Sequence, residues 1–217
     1  MTRLLVATAV DAERDAVLRG LAEDAASRIT VATVGVGPAA AAAGTARLLA
    51  LAEAAGDRYH LVLSAGIGGG VPGRVPVGGV ALARRSVAVD LGADSPDGFI
   101  PLDDLGFGSA VVTADPKLLA ALSEALPDAV VGDVVTASTV TGTADGLTTV
   151  VARAPDAVAE GMEGFGVASA AVAADAGFGE VRAISNPVGP RDRAAWRIAP
   201  ALDALRRVGA ALGTLSW

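Results

Sequence analysis

Residues 60–70 read His-Leu-Val-Leu-Ser-Ala-Gly-Ile-Gly-Gly-Gly, and this passage from an apolar run into glycine decides the fold class. The run His60–Ala65 is short and does not alternate. It therefore reads as a strand buried on both faces, with Gly66–Gly70 as the turn that ends it. The same grammar recurs upstream. Leu4–Val10 (LLVATAV) precedes Asp11 and Glu13, and Ile29–Val34 (ITVATV) precedes Gly35-Val36-Gly37-Pro38. Helices are predicted over Glu13–Ala26 and from Pro38 to about Ala55, proline being well tolerated in a first turn. Downstream, Val80–Ala83 and Ser86–Val89 suggest extended chain and Lys117–Leu126 a helix. Asp133–Thr139 reads as a strand, Met162–Ala176 as a helix, Val181–Ser185 as a strand and Trp196–Leu212 as a closing helix. Buried strands alternating with helices imply an α/β sheet covered on both faces. No linker-like tract interrupts the chain, so residues 1–217 read as one domain. Asp90–Gly108, rich in Gly, Asp and Pro, reads as a long loop of the kind that forms lids or contact surfaces.

Composition narrows the function classes. Hydrophobic residues make up 52% of the chain, yet no apolar run reaches the ~18–20 residues of a membrane span. Met1-Thr2-Arg3-Leu4 leads straight toward a strand without the apolar core of a signal peptide, so a cytoplasmic protein is expected. Cysteine is absent and His60 is the single histidine, which excludes thiolate metal sites and disfavours a histidine zinc site. No metal or other cofactor is implied. The net charge of −7 and the scarcity of basic clusters beyond Arg84-Arg85 and Arg206-Arg207 argue against nucleic acid as a partner.

In doubly covered sheets ligands gather beyond the carboxyl ends of the strands. Those positions hold Asp11 and Glu13, Gly35–Gly37, Gly66–Gly70, Ser138–Val140 and Ser185-Asn186. Neither glycine-rich segment matches a dinucleotide fingerprint or a phosphate-binding P-loop. Taken alone, tight strand-to-helix geometry accounts for both.

The ordered set resembles the nucleoside phosphorylase and nucleosidase superfamily. Four pieces carry the resemblance over nearly the whole chain: Ala9-Val10-Asp11-Ala12-Glu13, Gly66-Ile67-Gly68-Gly69, Gly161-Met162-Glu163-Gly164 and Ser185-Asn186. The interval of 23 residues from Glu163 to Asn186 matches the nucleosidase spacing. Asp90–Phe99, Met162–Ala168 and Ser185–Arg193 are similar to segments of the futalosine hydrolases. The resemblance implies a three-layer α/β/α fold with a central mixed, partly barrel-like sheet. It also implies hydrolysis of the N-glycosidic bond of futalosine, with release of hypoxanthine, in menaquinone biosynthesis. On this footing Glu13 binds the attacking water and Glu163 holds the ribose hydroxyls. Gly66, Ile67 and Gly68 line the base and sugar pocket, Met162 packs on the sugar, and Asn186 binds the purine. Each residue also has a plain structural reading. Glu13 suits a first helical turn, Glu163 a solvated helix face, and Asn186 a turn before Pro187.

Where nucleosidases carry an aspartate, Asn186 offers a fixed carbonyl acceptor and a fixed amide donor. That pattern fits a protonated ring nitrogen beside a 6-oxo group and mismatches adenine. Asparagine supplies no proton, so water or another acid, with Asp192 as a candidate, must protonate the leaving base. Ser64 and Ile67 stand where phosphorylases place phosphate-binding groups, and neither brings a charge. Arg191, Arg193 and Trp196 can receive the anionic carboxyphenyl group of futalosine, or can form an ordinary surface patch. Two departures from the pattern stand out. Gly161 replaces the family's first glutamate, and Val140 replaces a base-stacking phenylalanine, for which Phe165 can compensate. In related nucleosidases a second subunit closes the sugar side. Phe99 or Phe107 can do so here, which implies a homodimer or higher homo-oligomer. A 6-oxopurine nucleoside phosphorylase and a non-catalytic nucleoside-binding domain are the competing readings.

Overall fold

The computed structural model describes residues 2–215. Its sheet begins with β1 (Leu4–Thr8), which pairs in parallel with β2 (Ile29–Thr33) on one side and β3 (Leu61–Gly70) on the other. Because successive side chains point to opposite faces, these strands feed two cores at once. Leu4, Val6 and Leu63 pack toward α1 (Asp11–Gly20), α4 (Pro116–Ala125) and α7 (Ile198–Thr214). Leu5, Ala7 and Val62 pack toward α2 (Pro38–Ala54) and α6 (Gly164–Ala173). The result is the expected helix–sheet–helix layering.

The sheet then curls. Strand β10 (Gly177–Pro187) runs parallel along the whole of β3 and antiparallel to β4 (Val80–Ala88). β4 pairs with β8 (Val130–Thr136), β8 with β9 (Ala157–Gly161), and β9 returns to β3 at Gly69 and Gly70. β3, β10, β4, β8 and β9 thus close a ring, with β1 and β2 extending from it. The short β7 (Val111–Thr113) pairs with the outer part of β4.

Several boundaries differ from expectation. Gly66–Gly70 is not a turn but the second half of β3. Bare backbone is required there, since a Cβ on Gly66 would lie 2.6 Å from Arg182 Nη1, and one on Gly68 would lie 2.6 Å from the Glu160 carbonyl oxygen. The two extended pieces predicted between 80 and 89 are one strand with a register shift between Ala83 and Arg85. The first predicted helix ends at Gly20, and a 3₁₀ turn follows at Glu23–Ser27. Helix α6 starts at Gly164 rather than Met162, and Trp196 lies before α7. The long 90–108 loop contains a two-residue hairpin, β5 (Gly92–Ala93) with β6 (Ile100–Pro101), and a single turn, α3 (Leu102–Leu105). Sequence reading missed α5 (Ala144–Arg153) together with β7 and β9.

Candidate active site

Helix α1 begins with Asp11, and Glu13 sits at its third position, where a glutamate can turn back on the preceding backbone. It does so. Oε2 accepts from the N–H of Ala9 (2.9 Å) and of Val10 (3.3 Å), while Oε1 accepts from Ile67 N–H across in β3 (2.9 Å). The carboxylate is 4% exposed. Burial raises its affinity for a proton; the Ile67 N–H and the Arg182 charge pull it down, and Glu163 pushes it up again. A buried carboxyl with a raised pKa suits a general base near neutral pH.

Glu163 is the N-cap position of α6, at the exit from β9. It reaches in two directions: Oε1 accepts from Gly37 N–H (3.1 Å), and Oε2 from Met162 N–H (3.3 Å) and Arg182 Nη1 (3.4 Å). The Gly37 bond gives the Gly35–Gly37 turn a purpose. Gly37 has φ +86°, a left-handed conformation natural to glycine, and there it presents its N–H to the carboxylate.

Arg182 lies on the opposite side of β10 from Val181 and Ala183, which face the α7 core. It is fully buried and shares its donors among Glu180 Oε1 (3.0 Å), Ser64 Oγ (2.8 Å) and Glu163. Desolvation disfavours its charge, but the carboxylates of Glu180, Glu163 and Glu13 outweigh that and hold its pKa raised. Glu180 is completely buried; burial raises its pKa, and Arg182 opposes the shift.

Glu13, Glu163 and Asn186 line one cavity of about 290 Å³. Ile67, Gly68, Val140, Met162, Arg191, Asp192 and Trp196 line it as well. Asn186 Oδ1 accepts from Ser185 Oγ (2.7 Å), and its amide donates to the Pro187 carbonyl (2.9 Å). One amide hydrogen and one oxygen lone pair remain for a ligand. Asp192 caps the turn at Arg193–Ala195 by accepting from Ala194 N–H. The guanidinium carbons of Arg191 and Arg193 lie 5.7 and 5.8 Å from the Trp196 ring centre.

Three expected residues do not line the cavity. Gly66 lies behind it, against the Glu13 carboxylate. Phe165 follows Glu163 by two helical positions, about 200° around the axis, so it faces away, and its N–H donates to Thr136 Oγ1. Arg193 stands on the exposed outer side of its turn. Sequence reading missed Arg182 and Glu160. Glu160 is buried in the cavity wall, and its two oxygens accept from Thr141 N–H (2.8 Å) and Thr141 Oγ1 (2.5 Å). The available signal was one charge inside each otherwise apolar strand, Val181–Ser185 and Ala157–Gly161. Such charges are rarely buried without purpose.

The chain matches the model of the phosphorylase superfamily over residues 11–216. It is 50% identical to a futalosine hydrolase of Streptomyces coelicolor, over 93% of this chain and 91% of that protein. It is 44% identical to a futalosine hydrolase of Acidothermus cellulolyticus, over 98% of this chain and 91% of that protein. In fold it is similar to a methylthioadenosine/S-adenosylhomocysteine nucleosidase of Neisseria meningitidis, solved with methylthio-immucillin-A (TM-score 0.82, 19% identity, 99% of this chain and all of that one). It is likewise similar to the native futalosine hydrolase of Helicobacter pylori (TM-score 0.80, 17% identity, 99% of this chain and 98% of that one). With helix-flanked mixed sheet, buried carboxylates and sequence all in agreement, the chain belongs to the phosphorylase superfamily and, within it, to the futalosine hydrolase family.

Proposed function

We propose that the protein hydrolyses the N-glycosidic bond of futalosine and releases hypoxanthine, the reaction that menaquinone biosynthesis by this route requires. The observation that carries the reading is the convergence of Glu13, Glu163 and Asn186, far apart in the chain, on one cavity. As the bond from the anomeric carbon to the purine nitrogen breaks, its electron pair leaves with the base and positive charge develops on the sugar. Glu163 holds the ribose hydroxyls and places its negative charge beside that cation. Water adds to the anomeric carbon and gives its proton to Glu13, whose raised pKa equips it to take one. Asn186 accepts from the protonated ring nitrogen and donates to the 6-oxo oxygen of the leaving hypoxanthine. Asparagine has no proton to give, so the base is protonated by water or by Asp192, which lines the same cavity. Arg191 and Trp196 at the cavity mouth receive the carboxyphenyl group.

Hydrolysis is favoured over phosphorolysis by the charge balance around Arg182. Its guanidinium is committed to Glu180, Glu163 and Ser64, and three carboxylates surround one cation. A phosphate dianion entering this space would meet net repulsion, whereas water would not. A cytoplasmic homo-oligomer belongs to the same reading. Phe99 is held against Arg153 of its own chain, whereas Phe107 is 82% exposed and is free to cover the sugar side of a second copy. The test is to incubate the protein with futalosine, inosine and methylthioadenosine, with and without phosphate, and identify the released base. Hypoxanthine from futalosine, independent of phosphate, is the expected outcome; phosphate-dependent release would make the protein a phosphorylase.

A further inference from the structure

Glu160 is a buried carboxylate that the reaction described above does not use. Among the described residues it has no ion-pair partner, although an unpaired buried charge is costly. Its burial raises its pKa, and Asp90 adds to the shift. A residue kept at such a cost in the wall of the cavity calls for a role there.

Strand register supplies one. Asn186 of β10 pairs with Gly69 of β3, and Gly69 pairs with Glu160 of β9. Residues opposite one another in a sheet share a face, and adjacent strands lie about 4.8 Å apart. Asn186 and Glu160 therefore stand in one row, two strand spacings apart, with only backbone between them. A Cβ on Gly69 would point into that gap, 3.6 Å from Asn186 Nδ2 and 2.9 Å from Val188 Cγ2. The gap is thus floored by glycine, walled by an amide at one end and a carboxylate at the other, and open to the cavity that both side chains line.

Resting on the proposed release of a 6-oxopurine, we infer that Glu160 is the specificity residue that accepts the N1–H of that base, across Gly69 from Asn186. The hydrogen-bonding logic is closed at both ends. In a 6-oxopurine, the ring nitrogen N7 and the oxygen at C6 lie on one edge, and N1–H, a donor, comes next beyond C6. In a 6-aminopurine, N1 carries no hydrogen and is an acceptor. A carboxylate has about four lone-pair sites, and Thr141 takes two of them through its N–H and hydroxyl, which leaves an acceptor on each oxygen. The same two bonds remove the Thr141 N–H from the rim as a donor that an adenine N1 could otherwise use. Two donors from Thr141 also favour the ionised form, which is the form that accepts. Glu160 thus rejects 6-aminopurines twice, by facing their N1 with lone pairs and by silencing the nearest backbone donor.

The experiment compares binding of hypoxanthine and 1-methylhypoxanthine to the wild type and to Glu160→Gln, with hypoxanthine release from futalosine followed in parallel. The wild type should bind hypoxanthine about 10- to 100-fold more tightly than its N1-methyl analogue, the range of a hydrogen bond to a charged group. In Glu160→Gln that ratio should shrink toward one, and binding of adenine should improve because the glutamine amide can donate to N1. If the wild type binds both bases equally, or if the variant keeps the full ratio, the inference is overturned. A purely structural role for Glu160 predicts a different pattern, with both bases weakened together and their ratio unchanged. If the wild type binds neither base and releases no hypoxanthine from futalosine, it is the functional reading that fails. The wild-type comparison stands even if the variant does not fold.

Discussion

The two ends of the cavity are built on different physical terms. At the inner end, Glu13 and Glu163 are buried and each accepts backbone N–H groups from two separate segments: Ala9, Val10 and Ile67 for the first, Gly37 and Met162 for the second. At the outer end, Arg191, Asp192 and Trp196 stand on an exposed segment joined to the 138–142 loop by two backbone bonds, from Gly189 N–H to the Thr141 carbonyl (3.4 Å) and from Arg191 N–H to the Gly142 carbonyl (3.2 Å). The inner end is fixed by strand register and by a helix start, so it can hold reacting atoms in place. The outer end has the freedom of a loop, which suits the selection of a substituent more than the breaking of a bond. Substitutions of Glu13 and Glu163 should therefore act on kcat, and those of Arg191 and Trp196 on KM.

The sharpest attack on this division is Glu13→Gln. The amide keeps an oxygen for the Ile67 or Ala9 N–H but takes no proton from water. Loss of kcat by roughly 10²–10⁴-fold is expected, with hypoxanthine still bound, as read from single-turnover kinetics and a binding titration. A variant that turns over normally would remove the general base from the mechanism.

A matched pair of glycine substitutions compares the two ends directly. A Cβ on Gly66 would lie 2.6 Å from Arg182 Nη1 and 2.9 Å from Glu13 Oε1, groups already tied down by other bonds. A Cβ on Gly142 would meet nothing nearer than 3.9 Å, at Arg191 Cβ. Gly66→Ala should cost about 10²-fold in kcat through misplacement of the base, whereas Gly142→Ala should stay within about twofold of wild type. Equal effects would mean that the two ends are held alike.

How far the sequence disclosed this arrangement also differs between the ends and the middle. Leu4–Val10 announced a buried strand because both faces of Leu4–Thr8 are covered. Ile29–Val34 was legible as a strand although β2, at the sheet edge, is only partly buried, and Glu13 was legible as a first-turn residue of the helix that follows β1. The ring closure was legible only through the family resemblance, which implied a partly barrel-like sheet, and not in the residue pattern itself. It depends on β3 continuing through Gly66–Gly70 as strand, where glycine is demanded by neighbours distant in sequence, namely Arg182, Glu160 and Val188. For the same reason Glu160 escaped notice, since its position beside Gly69 is a matter of pairing between β3 and β9. Phe165 does not line the cavity, since it follows Glu163 by two positions, about 200° around a helix axis, a relation that its apolar character does not disclose.

The pH profile sharpens the inner end further. Glu13 must be ionised to take a proton, so kcat/KM should be full above its pKa and fall about tenfold per pH unit below it. Burial places that acid limb above the ordinary glutamate range. Glu163 contributes to the upward shift through its negative charge, so Glu163→Gln should move the limb to lower pH while also lowering the rate. A limb that stays in place in Glu163→Gln would mean that the titrating group is not Glu13.

The smallest effects should come from the two arginines beside Trp196, and they distinguish a cavity wall from a surface patch. Arg191 and Arg193 stand at nearly the same distance from the Trp196 ring, 5.7 and 5.8 Å, so a role confined to packing on that ring would make them interchangeable. Arg191 alone of the two lines the cavity. Exposed charge pairs are worth little, about 0.2–1 kcal/mol, so Arg191→Ala should raise the KM for futalosine by no more than about fivefold and leave kcat unchanged. The same substitution should leave the KM for inosine, which lacks the carboxyphenyl group, where it was. Arg193→Ala should change neither. Equal increases in KM for the two variants would assign the arginines to a diffuse electrostatic patch. Such increases would fade together as salt screens them, whereas a contact specific to Arg191 would remain confined to that residue and to the carboxylated substrate.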